Sequence, residues 1–507
     1  MSKLKALAAV AVAGALIMGG SVPATQAAGK SITIGEIGDI TSFTVRDSQF
    51  GNLNLFYQAV YDGLLQADST GKVIPSAATS WSYDSSNTVL TLKLRAGLKF
   101  TDGTKLDAAA VVANLKRFST GVSPDKSNID SMKSAVAKGA DTVVITLKDT
   151  DPAFLNYLAR NAGLLESPKN FTNAAAKTSP VGSGPYTLNK AKTKFGSTYT
   201  FVKNPGYWNA KAVKFDTLVL KVIADPTAAA NALKAGQIDG INIANNAVLP
   251  SLAANKNIKY VKHYLDWSGF SFVDRSGKLG SPIKNVKVRQ AINMALDRPA
   301  LLKAIGEGFG VVTQQVFPSY SAGYVKSLDS YYKYDVAGAK KLLAEAGYPN
   351  GFTISMPSIT AFTGPAKPAL MAAQLKAIGI TVDYTDESFA TFFTNLLTPK
   401  YPAYWMQLER SANDWQHLNF LISETAVWNP EHYSDAKSAN LIGRIQSASP
   451  SARPALLKQL NTYIVEQAWF APFYAAQGTF AYNSKKFSVK DQPGNAVPYL
   501  FNFTPAN

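Results

Sequence analysis

The chain has 507 residues, of which 46% are hydrophobic and 17% are charged. These are globular values, and the length suits two or three domains with large buried cores. The sequence contains no cysteine, which excludes disulfides, thiolate metal sites, a cysteine nucleophile and lipid attachment to an N-terminal cysteine.

The formal net charge of +17 at pH 7 would suit a protein that binds nucleic acid or an anionic membrane. However, the Lys and Arg residues are spread along the chain, and no five-residue window resembles a basic tail. We therefore predict a solvated basic surface and no nucleic-acid partner.

Residues 1–27 are predicted to be a secretory signal peptide. Lys3 and Lys5 form a basic start, an apolar run covers residues 6–18, and small residues near Ala27 offer a cleavage site. The apolar run is shorter than the ~20 residues that a membrane-spanning helix needs. We expect a protein that lies in the periplasm or outside the cell after cleavage and that is not a lipoprotein.

The next elements in chain order are a strand over 31–34 and, within 61–118, a hairpin followed by a helix. Leu90, Leu92 and Leu94 alternate with polar residues, which predicts a strand with one apolar face. The pair at 102–103 is Asp-Gly, which favours a turn, and Asp107 can cap a helix that buries Val111, Val112, Leu115 and Phe118.

Further strands are predicted over 142–147, 217–223 and 352–356. Asp297 and Asp335 are predicted to begin helices, which Gly306 and Gly347 end. The alternation of strands and helices predicts an α/β protein.

Eight short motifs carry a family resemblance along nearly the whole chain. They are YDGL at 61–64, LRAGLKFTDGT at 94–104, PVGSGPY at 180–186, NPGYW at 204–208, AGQIDG at 235–240, VRQAINMALDRPALL at 288–302, YDVAGAKKLLAEAGYPNGF at 334–352 and AWFAPFY at 468–474. In this order they resemble the family 5 extracellular solute-binding proteins, which deliver oligopeptides, dipeptides or nickel to ABC importers.

The resemblance implies a two-lobed periplasmic-binding-protein fold of type II, in its large peptide-binding class. Lobe I would comprise 28–70, 180–262 and 478–507, with an inserted subdomain at 71–179, and lobe II would be 263–477. It also implies a monomeric receptor without a cofactor, which captures a small extended solute by lobe closure and presents it to an ABC permease complex.

Peptide-binding relatives hold the ligand's amino group with an aspartate that lies seven residues before a Phe-Leu-like pair. Counting back from Phe420 in this chain reaches Asn413, and Asp414 is one residue late. In an extended segment that single step reverses the direction of the side chain. Both residues therefore remain candidates, and Asp414 has an equally simple interpretation as a solvated loop acid.

The resemblance supplies ten candidate ligand-binding residues, by matched spacing or by position in the expected cleft region. They are Phe50, Gly51, Trp405, Arg410, Ser411, Asn413, Asp414, Trp415, Asn429 and Tyr474.

The default ligand is a peptide, and a neutral oligosaccharide is a close second because an Asn amide and aromatic rings suit hydroxyl-rich solutes. A nickel complex is a third choice, although the three histidines, His263, His417 and His432, lack close metal-ligand spacing. The sequence contains neither HExxH nor G-x-S-x-G. We therefore predict a binding protein and no catalytic residues, with an exported hydrolase as the alternative from another class.

Overall fold

The computed structural model describes residues 30–409, 411 and 413–506. The predicted signal peptide and Arg410 lie outside the described residues. Within the described part of the chain, no helix is both long enough and apolar enough to span a bilayer.

The strands, in chain order, are β1 (Ser31–Glu36), β2 (Leu65–Ala67), β3 (Val73–Pro75), β4 (Ala78–Tyr83), β5 (Val89–Leu94), β6 (Met132–Lys138), β7 (Thr142–Leu147), β8 (Tyr186–Leu188), β9 (Thr198–Lys203), β10 (Thr217–Val222), β11 (Gly240–Ile243), β12 (Ile258–Phe272), β13 (Gly310–Val312), β14 (Phe352–Ser358), β15 (Ile380–Asp386), β16 (Ala403–Glu409), β17 (Phe470–Asn483), β18 (Phe487–Val489) and β19 (Phe503–Pro505).

The α-helices are α1 (Asn54–Val60), α2 (Ala108–Ser119), α3 (Phe154–Leu158), α4 (Pro226–Lys234), α5 (Leu249–Ala253), α6 (Val286–Met294), α7 (Arg298–Ile305), α8 (Val336–Glu345), α9 (Thr360–Thr363), α10 (Ala366–Lys376), α11 (Phe389–Leu397), α12 (Asp414–His417), α13 (Ala436–Ser447) and α14 (Arg453–Glu466).

The predicted local elements are confirmed, except that Val112 of α2 is half-buried while Val111, Leu115 and Phe118 are buried. In β5, Leu90, Leu92 and Leu94 are buried, so the alternating pattern marks the core face. Asp107 accepts a hydrogen bond from the amide of Ala110 and caps α2. Asp297 and Asp335 cap α7 and α8 in the same way, because each carboxylate satisfies a backbone N–H that the first helical turn leaves unpaired.

The main sheet is mixed and runs through both lobes in the order β16-β12-β17-β11-β1-β10-β9-β8, with β13 also paired to β17. Its parallel part consists of β1 between β10 and β11. The long strands β12 and β17 are antiparallel partners that continue from one lobe into the other. The α/β class and the two-lobed fold predicted from the sequence are therefore confirmed.

The β12–β17 pairing is irregular between His263 and Asp266. On one side of this break β17 pairs with β11 of lobe I, and on the other side β12 pairs with β16 of lobe II. The break lies beside the lobe boundaries at 262/263 and 477/478, and those boundary numbers remain a prediction.

The segment assigned to the inserted subdomain contains an antiparallel sheet, β4-β5-β7-β6, against which α2 packs. Its buried residues belong to one continuous core that also includes residues of lobe I and, from the segment assigned to lobe II, Trp267, Trp415, Leu457 and Trp469. A second core lies between α6, α7, α8, α10 and the β14–β15 pair of lobe II. The cleft between the lobes lies where the long strands β12 and β17 cross.

Candidate ligand-binding site

A cleft of about 360 Å³ lies at the break in the β12–β17 pairing. Its walls come from lobe I, the inserted subdomain, both crossing strands and β16 of lobe II, and residues from these parts include Gly51, Arg160, Asn242, Asp266, Gln407 and Glu409. This volume is within the range of small-molecule sites. A ligand bound here would contact both lobes at once.

One wall of the cleft carries two neighbouring carboxylates. Asp266 on β12 lies directly opposite Glu409 on β16, and Gln407 Nε2 donates a hydrogen bond of 2.8 Å to Asp266 Oδ2. The Glu409 residue is exposed to the cleft, but the surrounding protein displaces part of the water around its carboxyl and so raises its pKa, and the charges of Asp266 and Asp125 add to the increase. A bound cation would relieve this repulsion.

The other wall carries Arg160, from the inserted subdomain. Its positive charge acts on Glu409 and lowers the pKa of that carboxyl, against the effect of lost hydration. The guanidinium carbon lies 5.3 Å from the centroid of the Phe50 ring, which provides a cation–π contact. Two carboxylates, those of Asp266 and Glu409, and the guanidinium of Arg160 therefore line the same cleft.

Neutral amides complete the cleft. Asn242 Nδ2 donates to Asn52 Oδ1 at 3.1 Å, and Asn246 Nδ2 donates to the carbonyl oxygen of Gln477 at 2.6 Å. Each amide group also has a further donor or acceptor position. These groups suit the peptide bonds or hydroxyls of a polar solute.

The segment that follows β16 places Asn413 and Asp414 differently. Asn413 Oδ1 accepts from the amides of Trp415 and Gln416 and caps α12, while Asn413 Nδ2 donates to Asn156 Oδ1 of the inserted subdomain at 3.0 Å. Asn413 thus connects lobe II to the other side of the cleft.

The Asp414 carboxylate accepts hydrogen bonds from the Ser321 hydroxyl and from the amide of Ala322, both in lobe II. Burial raises the pKa of this carboxyl. Asp414 does not line the 360 Å³ cleft.

The two candidate tryptophans line two other cavities. Trp415, 6% exposed, borders a cavity of about 750 Å³ between the inserted subdomain and lobe II. Trp405 borders an apolar cavity of about 110 Å³ within lobe II, and its indole N–H donates to Ser268 Oγ at 3.0 Å.

The remaining candidates fall into two groups. Gly51 lines the cleft, and Phe50 is buried behind it with its amide donating to Asp125. Asn429 and Tyr474 are buried in lobe II, where Asn429 accepts from Arg275 and from the amide of Tyr433 and donates to two carbonyls.

Ser411 is half-buried and lines none of these three cavities.

The described residues contain no group of three or more His, Cys, Asp and Glu side chains arranged to hold a metal ion. His263 lines the cleft but is buried, and burial lowers its pKa to about 4. The ring of His417 packs edge-on against Phe317 in the core.

Sequence reasoning did not select Arg160, Asp266 or Glu409 as ligand-facing residues. They come from separate segments of the chain, and no local spacing relates them.

Two lobes, two crossing strands and a polar cleft where they cross define a periplasmic-type binding protein. The profile of the bacterial extracellular solute-binding proteins, family 5, matches residues 72–426. The chain belongs to this family of solute-binding proteins.

The glutathione-binding protein GsiB of Escherichia coli K12 is 34% identical over 325 residues, which cover 62% of this chain and 62% of that protein. Two solved structures share the fold. HbpA2 of Haemophilus parasuis has a TM-score of 0.84 at 20% identity and covers 94% of this chain and 100% of that one. DppA of Helicobacter pylori, in complex with the peptide STSA, has a TM-score of 0.72 at 23% identity, with 94% and 98% covered.

Proposed function

We propose that this protein is the receptor of an ABC importer outside the cytoplasmic membrane and that it captures a peptide-like solute between its lobes. The observation that carries the proposal is the charge arrangement in the cleft, where Asp266 and Glu409 lie opposite Arg160. A short peptide carries an ammonium group at one end and a carboxylate at the other. The two acids suit the ammonium group, and the guanidinium suits the carboxylate.

The relatives support a ligand of this class. GsiB is named for glutathione, which is a tripeptide, and the DppA structure contains a peptide. An oligosaccharide is a weaker choice, because it would bring no cation of its own to the paired carboxylates of the cleft. A nickel complex remains a further candidate, in which the cleft would contact the organic ligands of the metal.

Site-directed calorimetry tests the ammonium assignment. Glu409→Gln and Asp266→Asn should each weaken the binding of a glutathione or peptide ligand by about 1.5–3 kcal/mol, which is the usual value of a hydrogen bond to a charged group. Glu345→Gln is the matched control, because it makes the same chemical change outside the cleft, where Glu345 forms a surface ion pair with Lys287 on lobe II. N-acetylated ligands should lose affinity for the wild type and be insensitive to both cleft variants.

The same experiment tests Asp414 as the alternative anchor. The Asp414 carboxylate is engaged by Ser321 and Ala322, so we expect Asp414→Asn to change peptide affinity by less than about 1 kcal/mol. A large effect of Asp414→Asn, together with normal binding by Glu409→Gln, would transfer the ammonium site to Asp414.

We further propose that the protein is exported, acts as a monomer and has no catalytic activity. Incubation of the purified protein with a peptide pool, followed by mass spectrometry, should recover the peptides intact. Consumption of any peptide would favour the exported hydrolase.

A further inference from the structure

Lobe II contains an apolar cavity of about 110 Å³ beside the cleft. The cavity lies between the end of β14, helices α10 and α11, and β16. Its walls are mostly carbon and include Ile359, Met371, Tyr384, Phe392, Phe393 and Trp405.

The polar groups at the cavity are few and mostly engaged. The Ser358 hydroxyl donates to Asp386 at 3.0 Å, and the Thr363 hydroxyl donates to the carbonyl oxygen of Ile359 at 3.0 Å. The Tyr384 hydroxyl is buried without a hydrogen-bond partner among the described residues. A single such group is too few to hold a water molecule, which needs two to four polar partners. The cavity therefore favours carbon groups over water.

Strand β16 connects the cavity to the cleft. Trp405, Gln407 and Glu409 are alternate residues and so face the same side of the sheet, and Gln407 lines both spaces. Gln407 and Glu409 are two residues apart on the strand, which corresponds to about 7 Å, and two residues of an extended peptide ligand cover about the same distance. An ammonium group held at Glu409 would place one of the next side chains beside the cavity.

We propose that this cavity receives an aliphatic side chain of the captured solute and so selects among peptide-like ligands. The inference rests on the proposed function, because it assumes a ligand in the cleft. An engineered apolar cavity of about 150 Å³ holds benzene, so 110 Å³ suits a branched aliphatic group such as that of valine or leucine and is too small for an indole.

The wall of the cavity is held in place before a ligand arrives. The hydrogen bond from the Trp405 indole to Ser268 joins β16 to β12 and orients the ring. The Phe393 and Trp428 rings pack against each other edge to face, with centroids 6.4 Å apart, on the side of Phe392. A preformed wall reduces the entropy lost on binding.

Calorimetry with triglycine and its singly substituted analogues tests the proposal. At one ligand position, valine or leucine should bind about tenfold or more tightly than glycine, because apolar carbon is transferred from water to the cavity. Tryptophan at that position should lose this gain. Equal affinity across the whole series would overturn the proposal, whereas failure of every peptide to bind would instead refute the proposed function.

Two variants locate the preference in the cavity. Ile359→Phe fills the space and should abolish the leucine preference while triglycine still binds. Phe392→Leu enlarges the space and should move the preference towards phenylalanine. Val427→Phe is the control, because it adds the same ring at a position that is 50% exposed and outside the cavity lining. Persistence of the wild-type preference in a folded Ile359→Phe or Phe392→Leu protein would show that the side chain binds elsewhere.

Discussion

At the residue scale, the crossing point of the lobes depends on a close approach between His263 and Gly478. The two residues are paired across β12 and β17, just before the register breaks. A Cβ atom added to Gly478 would lie 2.0 Å from Nε2 of His263. The imidazole is only 7% exposed, so it has little room to move away.

Gly478→Ala should therefore destabilise the protein by about 1–3 kcal/mol, the usual cost of overpacking a buried position. The matched control is Gly443→Ala in α13, where an added Cβ meets no atom within 4 Å. That change should stabilise the helix by about 0.5–1 kcal/mol. Thermal unfolding of both variants measures the difference.

The physical cause can be tested in the double variant. His263→Ala removes the ring that the new methyl group meets, so it should relieve most of the cost of Gly478→Ala. If Gly478→Ala costs the same unfolding free energy in the wild type and in the His263→Ala protein, the glycine is required by the strand backbone and not by the imidazole.

At the element scale, α12 shows how a short helix can join two lobes. It has only four residues, too few to be stable by itself. The Asn413 side chain stabilises it with two hydrogen bonds at the N-terminus and also reaches Asn156 across the interface with the inserted subdomain.

Substitution of Asn413 should separate these two roles. Asn413→Ala removes both the cap and the bridge and should cost about 1 kcal/mol or more in unfolding free energy. Asn413→Asp keeps the capping oxygen and loses the amide donor, so it should cost less and match Asn156→Ala. Urea unfolding monitored by tryptophan fluorescence measures all three variants, and equal losses from Asn413→Ala and Asn413→Asp would contradict the capping role.

At the scale of the whole molecule, the long strands β12 and β17 are the covalent connection between the lobes, and the larger hydrophobic core contains buried residues from both of them. A break in regular pairing is a suitable place for a hinge, because fewer backbone hydrogen bonds resist bending there. Ligand groups that bridge the two walls would favour the arrangement in which the walls are closest.

Small-angle scattering should therefore show a monomer whose radius of gyration decreases when a saturating peptide ligand is added. The N-acetylated ligand, which lacks the ammonium group, should leave the radius unchanged at the same concentration. An unchanged radius with a ligand that calorimetry shows to be bound would mean that capture does not require lobe closure.

The local elements and the family could be predicted from the amino-acid sequence alone. Strand faces and helix starts depend on neighbours within a few residues, so they can be predicted from local sequence. Examples are the strand face of Leu90, Leu92 and Leu94 and the helix caps Asp107, Asp297 and Asp335. The ordered motifs led to the two-lobed α/β fold, which the structure and the family match confirm.

The charged groups that share the cleft could not be predicted from the sequence, because long-range contacts bring them together. Arg160, Asp266 and Glu409 lie on three separate segments, and their proximity depends on how β12 and β16 pair and on where the inserted subdomain packs. The sequence also could not show which of Asn413 and Asp414 faces the cleft. The direction of each side chain depends on a long-range hydrogen-bond partner, Asn156 for Asn413 and Ser321 for Asp414. Side chains that meet through long-range contacts leave no spacing in the sequence.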